Sequence, residues 1–324
     1  MATCKGLQWH RGLFPFEDVG EGYSSPDQGI EVDPRARPLA EAHRRCCLPG
    51  ALNDLGTITS YDATAVALRP RPDPRKECAM DLPLAVAPDA VPDDSTIRLQ
   101  VLCAARGDRR IQLADALEHE ATAIAATLGS EARVMVLCEI DDDPFPSFNP
   151  LCRPFQGVLE IQTGRSFGVD RIIGALDGLG PRLVPVAHLD LSAVAVGTVQ
   201  DLVPVERAPL RYLYAMRRLA GTSHDEYIDY YFHSHSRFGP ATPNIFGYTQ
   251  FHVDAAASAS AASVIGIAAT GIDSVSELHL ESLETFFAGI GDGRQGAAAA
   301  ADEATFVDRE NSVSFCTSAK VIHP

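Results

Sequence analysis

Two short stretches concentrate the side chains that could move protons. In the first, Tyr227, Tyr230 and Tyr231 precede His233 and His235. In the second, Tyr248, Gln250, His252 and Asp254 recur at every second residue. Imidazole has an unperturbed pKa of about 6.5, suited to proton transfer near neutrality. A tyrosine hydroxyl can donate to an oxygen on which charge develops. His235, His252 and Tyr248 are therefore the candidate catalytic groups. Together they could take a proton from a carbon beside a carbonyl and stabilise the enolate, which serves isomerisation, dehydration, cyclisation or lyase chemistry. Tyr231, His233, Gln250, Asp254 and, on a separate strand-like run, Tyr214 are the candidates for holding substrate. The competing structural reading is that His235 caps a helix C-terminus and His252 is hydrogen-bonded within a sheet.

These groups need elements to position them. Side chains on a strand alternate faces, so Phe246, Tyr248, Gln250, His252 and Asp254 share one face and Thr249, Phe251 and Val253 the other. The polar face is expected to form a pocket wall inside a barrel. Ser223 followed by Glu226 has capping-box spacing and starts the helix carrying the tyrosines. That helix is expected to run to about Ser236 and to stop at Gly239-Pro240. His233 and His235, two apart on a helix, point in different directions and would chelate a metal only where the helix has unwound. No metal site is expected.

Around them the pattern is regular. Apolar alternation at Ile97, Leu99 and Val101 predicts a strand, and Leu117, Ala121, Ile124 and Leu128 a helix ending at Gly129. Strands at 133–140, 157–162 and 193–199 and a helix at 169–179 complete a βαββαβ order. The order then repeats. Strands fall at 211–219, 246–254, 275–280 and 312–321, and helices start at Ser223 and Ser282, the latter interrupted at 289–296. An Ala/Ser-rich connecting helix is expected at 255–269. The chain is thus α+β, with tandem ferredoxin-like units at 93–206 and 207–324 whose sheets pack face to face or join edges. Residues 1–92, rich in Pro and Gly, are expected to form an extension or arm, with a helix near Pro38 and a strand at 57–68. In the first unit Met135, Leu137 and Glu139 match Tyr248, Gln250 and His252, so one active pocket, in the second unit, is expected.

Composition narrows the function. A net charge of −16 and a pI near 5.0 argue against nucleic acid and anionic lipid as partners. There is no apolar run of membrane-spanning length and no secretory pattern at the N-terminus. The eight cysteines lack paired CxxC spacing, which fits free thiols in a reducing, cytoplasmic setting. No GxGxxG follows a strand, and neither a Walker A motif nor a GxSxG elbow occurs.

Four segments resemble the EthD family in order: Glu226 to Tyr231 with His235, Tyr248 to Asp254, Asp273 to Leu283, and Asp302-Glu303 through Phe306-Val307-Asp308. His235 matches that family's helix-end histidine. The resemblance implies a dimeric α+β barrel with a cavity between sheet and helices, and a possible homodimer. It also implies relatives that mostly work without a cofactor, among them polyketide cyclases, muconolactone isomerases and anthrone-type monooxygenases. The expected activity is cofactor-independent acid/base chemistry on a small carbonyl, lactone or polyketide-like substrate. The alternatives are a non-catalytic ligand-binding protein and a cofactor-free monooxygenase on a phenol.

Overall fold

Eight strands close into one antiparallel barrel in the order β1-β3-β2-β8-β5-β7-β6-β4. The computed structural model describes residues 96–141, 143–145, 155–205, 208–268, 271–290 and 293–323. The expected N-terminal arm, with its helix and strand, lies outside the described residues. The strands are β1 (Thr96–Cys103), β2 (Ala132–Glu139), β3 (Gly157–Gly164), β4 (Ala193–Val203), β5 (Leu210–Met216), β6 (Gly247–Val253), β7 (Ser274–Leu280) and β8 (Val313–His323). The first four form one ferredoxin-like sheet and the last four another. The sheets join by their edges, β2 to β8 and β4 to β6, so the two halves of one chain build the whole barrel.

Small devices repeat in both halves. After β1, the Ala104 N–H donates to Ser192 Oγ (3.1 Å), which donates to the His188 carbonyl (2.7 Å). After β5, the Arg217 N–H donates to Ser312 Oγ (3.0 Å), which donates to the Asp308 carbonyl (2.7 Å). The equivalence is therefore His188 with Asp308.

Helices cover the outside. In the first half these are α1 (Arg110–Leu128), α2 (Val169–Gly174) and α3 (Leu179–Leu183). The single helix expected at 169–179 is broken because Gly178 takes a left-handed φ of 71° that starts the next turn. In the second half they are α4 (His224–His233), α5 (Phe238–Ala241), α6 (Ala255–Ile265), α7 (Leu283–Ile290) and α8 (Arg294–Glu303). Helix α4 ends three residues earlier than expected. A 3-10 turn at His235–Arg237 follows, and α5 then carries the chain through Gly239-Pro240 rather than stopping there.

Strand alternation sorts the core in two. Leu99, Val101, Val134, Val136 and Leu159 pack outward against Leu113, Leu117 and Ile124 of α1. Leu102, Leu137, Val158, Leu213, Phe251, Val275 and Phe315 meet inside the barrel. The interior also holds buried charge. Arg98 donates to Glu277 (2.7 Å), Arg211 to Glu160 (3.0 Å), and Gln100 to both glutamates (2.8 and 2.9 Å). Burial alone would raise the Glu160 pKa, but the Arg211 and Arg98 guanidinium groups outweigh it and hold the carboxyl at about 2.

Candidate functional site

Strand β6 points Thr249, Phe251 and Val253 into the barrel, so its polar face turns outward to α4 and not into the barrel as expected. The reason is register. Phe251 and Val253 complete the apolar barrel core, and Thr249 bonds the inward Asp201 (2.7 Å). The same rule corrects the match to the first half. Met135 and Leu137 face inward, and Val134 and Val136 occupy the helix-facing positions of β2.

Helix α4 lies over this outward face. Its start is set by the capping box, with the Glu226 N–H donating to Ser223 Oγ (3.2 Å) and the Ser223 N–H to Glu226 Oε2 (2.9 Å). Tyr227, Tyr231 and Phe232 are buried beneath it. Gln250 donates to the Tyr231 carbonyl (3.0 Å) and the Tyr248 hydroxyl (2.9 Å). Its remaining oxygen faces His252 Nε2 at 3.0 Å, which places the His252 proton on Nε2. Burial, with a smaller push from His224, lowers the His252 pKa to about 4, so the ring is neutral near pH 7.

Tyr248 and Gln250 are thus closed off in a hydrogen-bonded layer, with the Tyr248 ring packed on Gly239. Of Tyr248, Gln250 and His252, only His252 reaches a groove, an open one of about 800 Å3 between α4 and the β4–β6 seam, which His233 and Asp254 also line. Asp254 caps α6, accepting from the Ala256 and Ala257 N–H groups (2.8 and 3.0 Å). His233 is exposed and lies 3.8 Å from Asp229. The expected single pocket holding His235, Tyr248, Gln250 and His252 is not formed.

His235 turns the other way. The chain leaves the α-helix at His233, and this carries the His235 ring to the end of α8, where Nδ1 meets Asp302 Oδ2 at 2.8 Å. It does not cap α4. Nε2 stands 3.9 Å from Glu303 Oε1. Tyr231, Phe238 and Phe306 hold the ring, with centroids 6.0, 5.2 and 5.1 Å away.

Glu303 lines an apolar cavity of about 180 Å3. Its floor is the outward face of β5, β7 and β8, with Tyr212, Tyr214, Leu278 and Ser314, and its roof is α7 and α8. Phe145, contributed by the first half of the chain, forms a wall, its ring 4.6 Å from Tyr212 and 6.3 Å from Phe286. Asp143 holds that wall by accepting from the Phe145 N–H (2.9 Å) and the β8 Cys316 N–H (2.7 Å). At the polar end stand Glu303, Arg309 and the buried Tyr214, whose hydroxyl has no well-aligned hydrogen-bond partner. Burial raises the Glu303 pKa, and the Arg309 charge only partly offsets it. Burial, reinforced by the Glu303 charge, also raises Tyr214, which keeps its proton.

Of the residues singled out from the sequence, Tyr214 lines this cavity and His235 stands behind its carboxyl. Glu303, Arg309 and Phe145 were missed as site residues. Asp302-Glu303 was visible as part of a motif, but its chemistry depends on a burial that only the fold creates. Among the described residues, no three His, Cys, Asp or Glu side chains converge in a way that could hold a metal. Cys103, Cys138 and Cys316 have no disulfide, and burial pushes the Cys103 and Cys316 thiols up to about 12. No helix among the described residues is long and apolar enough to cross a membrane.

Residues 219–310 match the EthD domain, and the chain is an α+β barrel of two ferredoxin-like units. Among solved structures it is similar to an anthrone oxidase-like protein, with 12% identity and a TM-score of 0.47, over 72% of this chain and 95% of that one. It is also similar to a mutant chlorite dismutase from Candidatus Nitrospira defluvii, with 9% identity and a TM-score of 0.39, over 71% and 92%. No curated protein sequence matches the chain.

Proposed function

We propose that the chain is a cofactor-independent acid/base enzyme acting on a small, largely apolar carbonyl, lactone or polyketide-like compound bound between α7, α8 and the outer face of β5. One observation carries this reading: a carboxyl with raised proton affinity, Glu303, sits at the polar end of an otherwise apolar cavity beside the Tyr214 hydroxyl. Glu303 would remove a proton from the carbon beside the carbonyl, and Tyr214 would donate to the oxygen that gains charge. His252, Tyr248 and Gln250 would support α4 and not touch substrate.

A second reading is a non-catalytic ligand carrier. It is favoured by the mostly apolar lining and by His252 being engaged with Gln250. Solvent deuterium exchange separates the two. Lactones and ketones with acidic C–H groups would be incubated with the protein in D2O and followed by NMR. Exchange that is lost in Glu303→Gln supports the enzyme. Binding with no exchange in either protein supports the carrier.

A further inference from the structure

We propose that Asp302 is a positioning residue. It fixes the His235 proton on Nδ1 and aims the Nε2 lone pair at Glu303, so that His235 and Glu303 hold one exchangeable proton at the end of the cavity. The use of that proton in turnover rests on the function proposed above; the arrangement itself does not.

Three donors meet the Asp302 carboxylate. Oδ2 faces His235 Nδ1 at 2.8 Å, and Oδ1 accepts from the Tyr230 hydroxyl (2.9 Å) and Arg237 Nη2 (2.7 Å). Burial works to raise its pKa, but the hydrogen bonds from His235 and Tyr230 and the Arg237 charge outweigh it and keep the carboxyl below its ordinary value. An ionised carboxylate only accepts, so His235 must present N–H at Nδ1. Its Nε2 is then the end that gains or loses a proton, and the nearest acidic group is Glu303 at 3.9 Å.

The groups facing this pair come from four elements: Tyr230 from α4, Arg237 from the following turn, Arg309 from the loop before β8, and Tyr214 from β5. When the proton passes from the Glu303 carboxyl to His235 Nε2, a carboxylate and an imidazolium form. The imidazolium lies between two carboxylates, Asp302 and Glu303. The aromatic rings around His235 restrain it, so closing the 3.9 Å gap is a movement of the Glu303 side chain.

The test is 15N NMR of the histidine side chains in the wild type and in Asp302→Asn. In the wild type, His235 should carry its proton on Nδ1. In Asp302→Asn, the amide oxygen must keep accepting from Tyr230 and Arg237, which turns the NH2 group to Nδ1 and moves the proton to Nε2. A wild-type proton on Nε2 overturns the proposal, and this arm needs no variant to fold. A folded Asp302→Asn with an unchanged tautomer also overturns it. Tyr230→Phe, which keeps the carboxylate, should leave the proton on Nδ1, and a shift to Nε2 there would count against Asp302 as the determinant. Where deuterium exchange is measurable, Asp302→Asn should slow it about 100-fold and displace its pH profile, with substrate affinity unchanged. Absence of exchange in the wild type would remove the enzyme reading and leave the tautomer result standing.

Discussion

Arg98 on β1 donates to Glu277 on β7 across the barrel interior at 2.7 Å, and so ties the first half of the chain to the second. The reciprocal bond runs from Arg211 on β5, the first strand of the second half, to Glu160 on β3, the third strand of the first half, at 3.0 Å. Each half therefore supplies one arginine from its first strand and one glutamate from its third. The pairs sit where the two sheets face each other, so they oppose a displacement of one sheet against the other. Removing one partner leaves a buried charge uncompensated. Arg98→Met and Glu277→Met are each expected to cost about 3–5 kcal/mol in denaturant unfolding. The double replacement Arg98→Met with Glu277→Met should recover much of that loss. Additive losses in the double variant would contradict the pairing.

Acid should destabilise the protein through two buried imidazoles. Burial lowers His252 to about 4. His279 falls to about 3, first through burial and then through the Arg211 and Arg98 charges. Both lie below the unfolded histidine value, so the unfolded chain binds more protons between roughly pH 6.5 and those values. The stability they contribute is complete above about pH 6.5 and is lost as the pH falls toward 4 and 3. Denaturation midpoints measured from pH 7.5 to 4 should decline, and the decline should be shallower in His252→Gln and His279→Gln. Parallel curves for all three proteins would contradict the assignment.

Gly239 has no side chain where the Tyr248 ring packs, and a Cβ there would overlap that ring. Gly239→Ala should displace Tyr248 and disturb its bond from Gln250, at a cost of about 1–3 kcal/mol. A crystal structure of the variant with Tyr248 unmoved would contradict this packing.

Ser223 caps α4, which roofs the Tyr231–Gln250 layer. Ser223→Ala should lower stability by about 1 kcal/mol while leaving ligand binding in the Glu303 cavity intact. Thermal unfolding and ligand titration on the same preparation check both halves of that statement.

Much of the fold was legible because it rests on local patterns. The period-two run from Ile97 and the helical spacing of Leu117, Ala121 and Ile124 mark their elements whatever surrounds them. The Ser223–Glu226 capping box and the Gly129 stop do the same, the latter with a φ of 77°. What failed depends on partners distant in sequence. Period two shows that Tyr248, Gln250 and His252 share a face, but which face turns inward was decided by Phe251 joining the barrel core. Matching Met135 to Tyr248 was a one-residue slip, and in a strand that exchanges the two faces. The break in α4 moved His235 away from His252, and no propensity in Phe232-His233-Ser234 marks it. Glu303 reads as an ordinary exposed acid at the end of an alanine run. Its chemistry arises from the strand floor beneath it and from a phenylalanine wall supplied by the other half of the chain.

The most direct test is crystallographic. Crystals would be soaked with small phenols and lactones, and density would be sought between Tyr214, Phe286 and Glu303. A ligand oxygen within hydrogen-bond distance of Tyr214 or Glu303 is the expected result. Ligand bound instead in the groove beside His252, with the Glu303 cavity empty, would contradict the account.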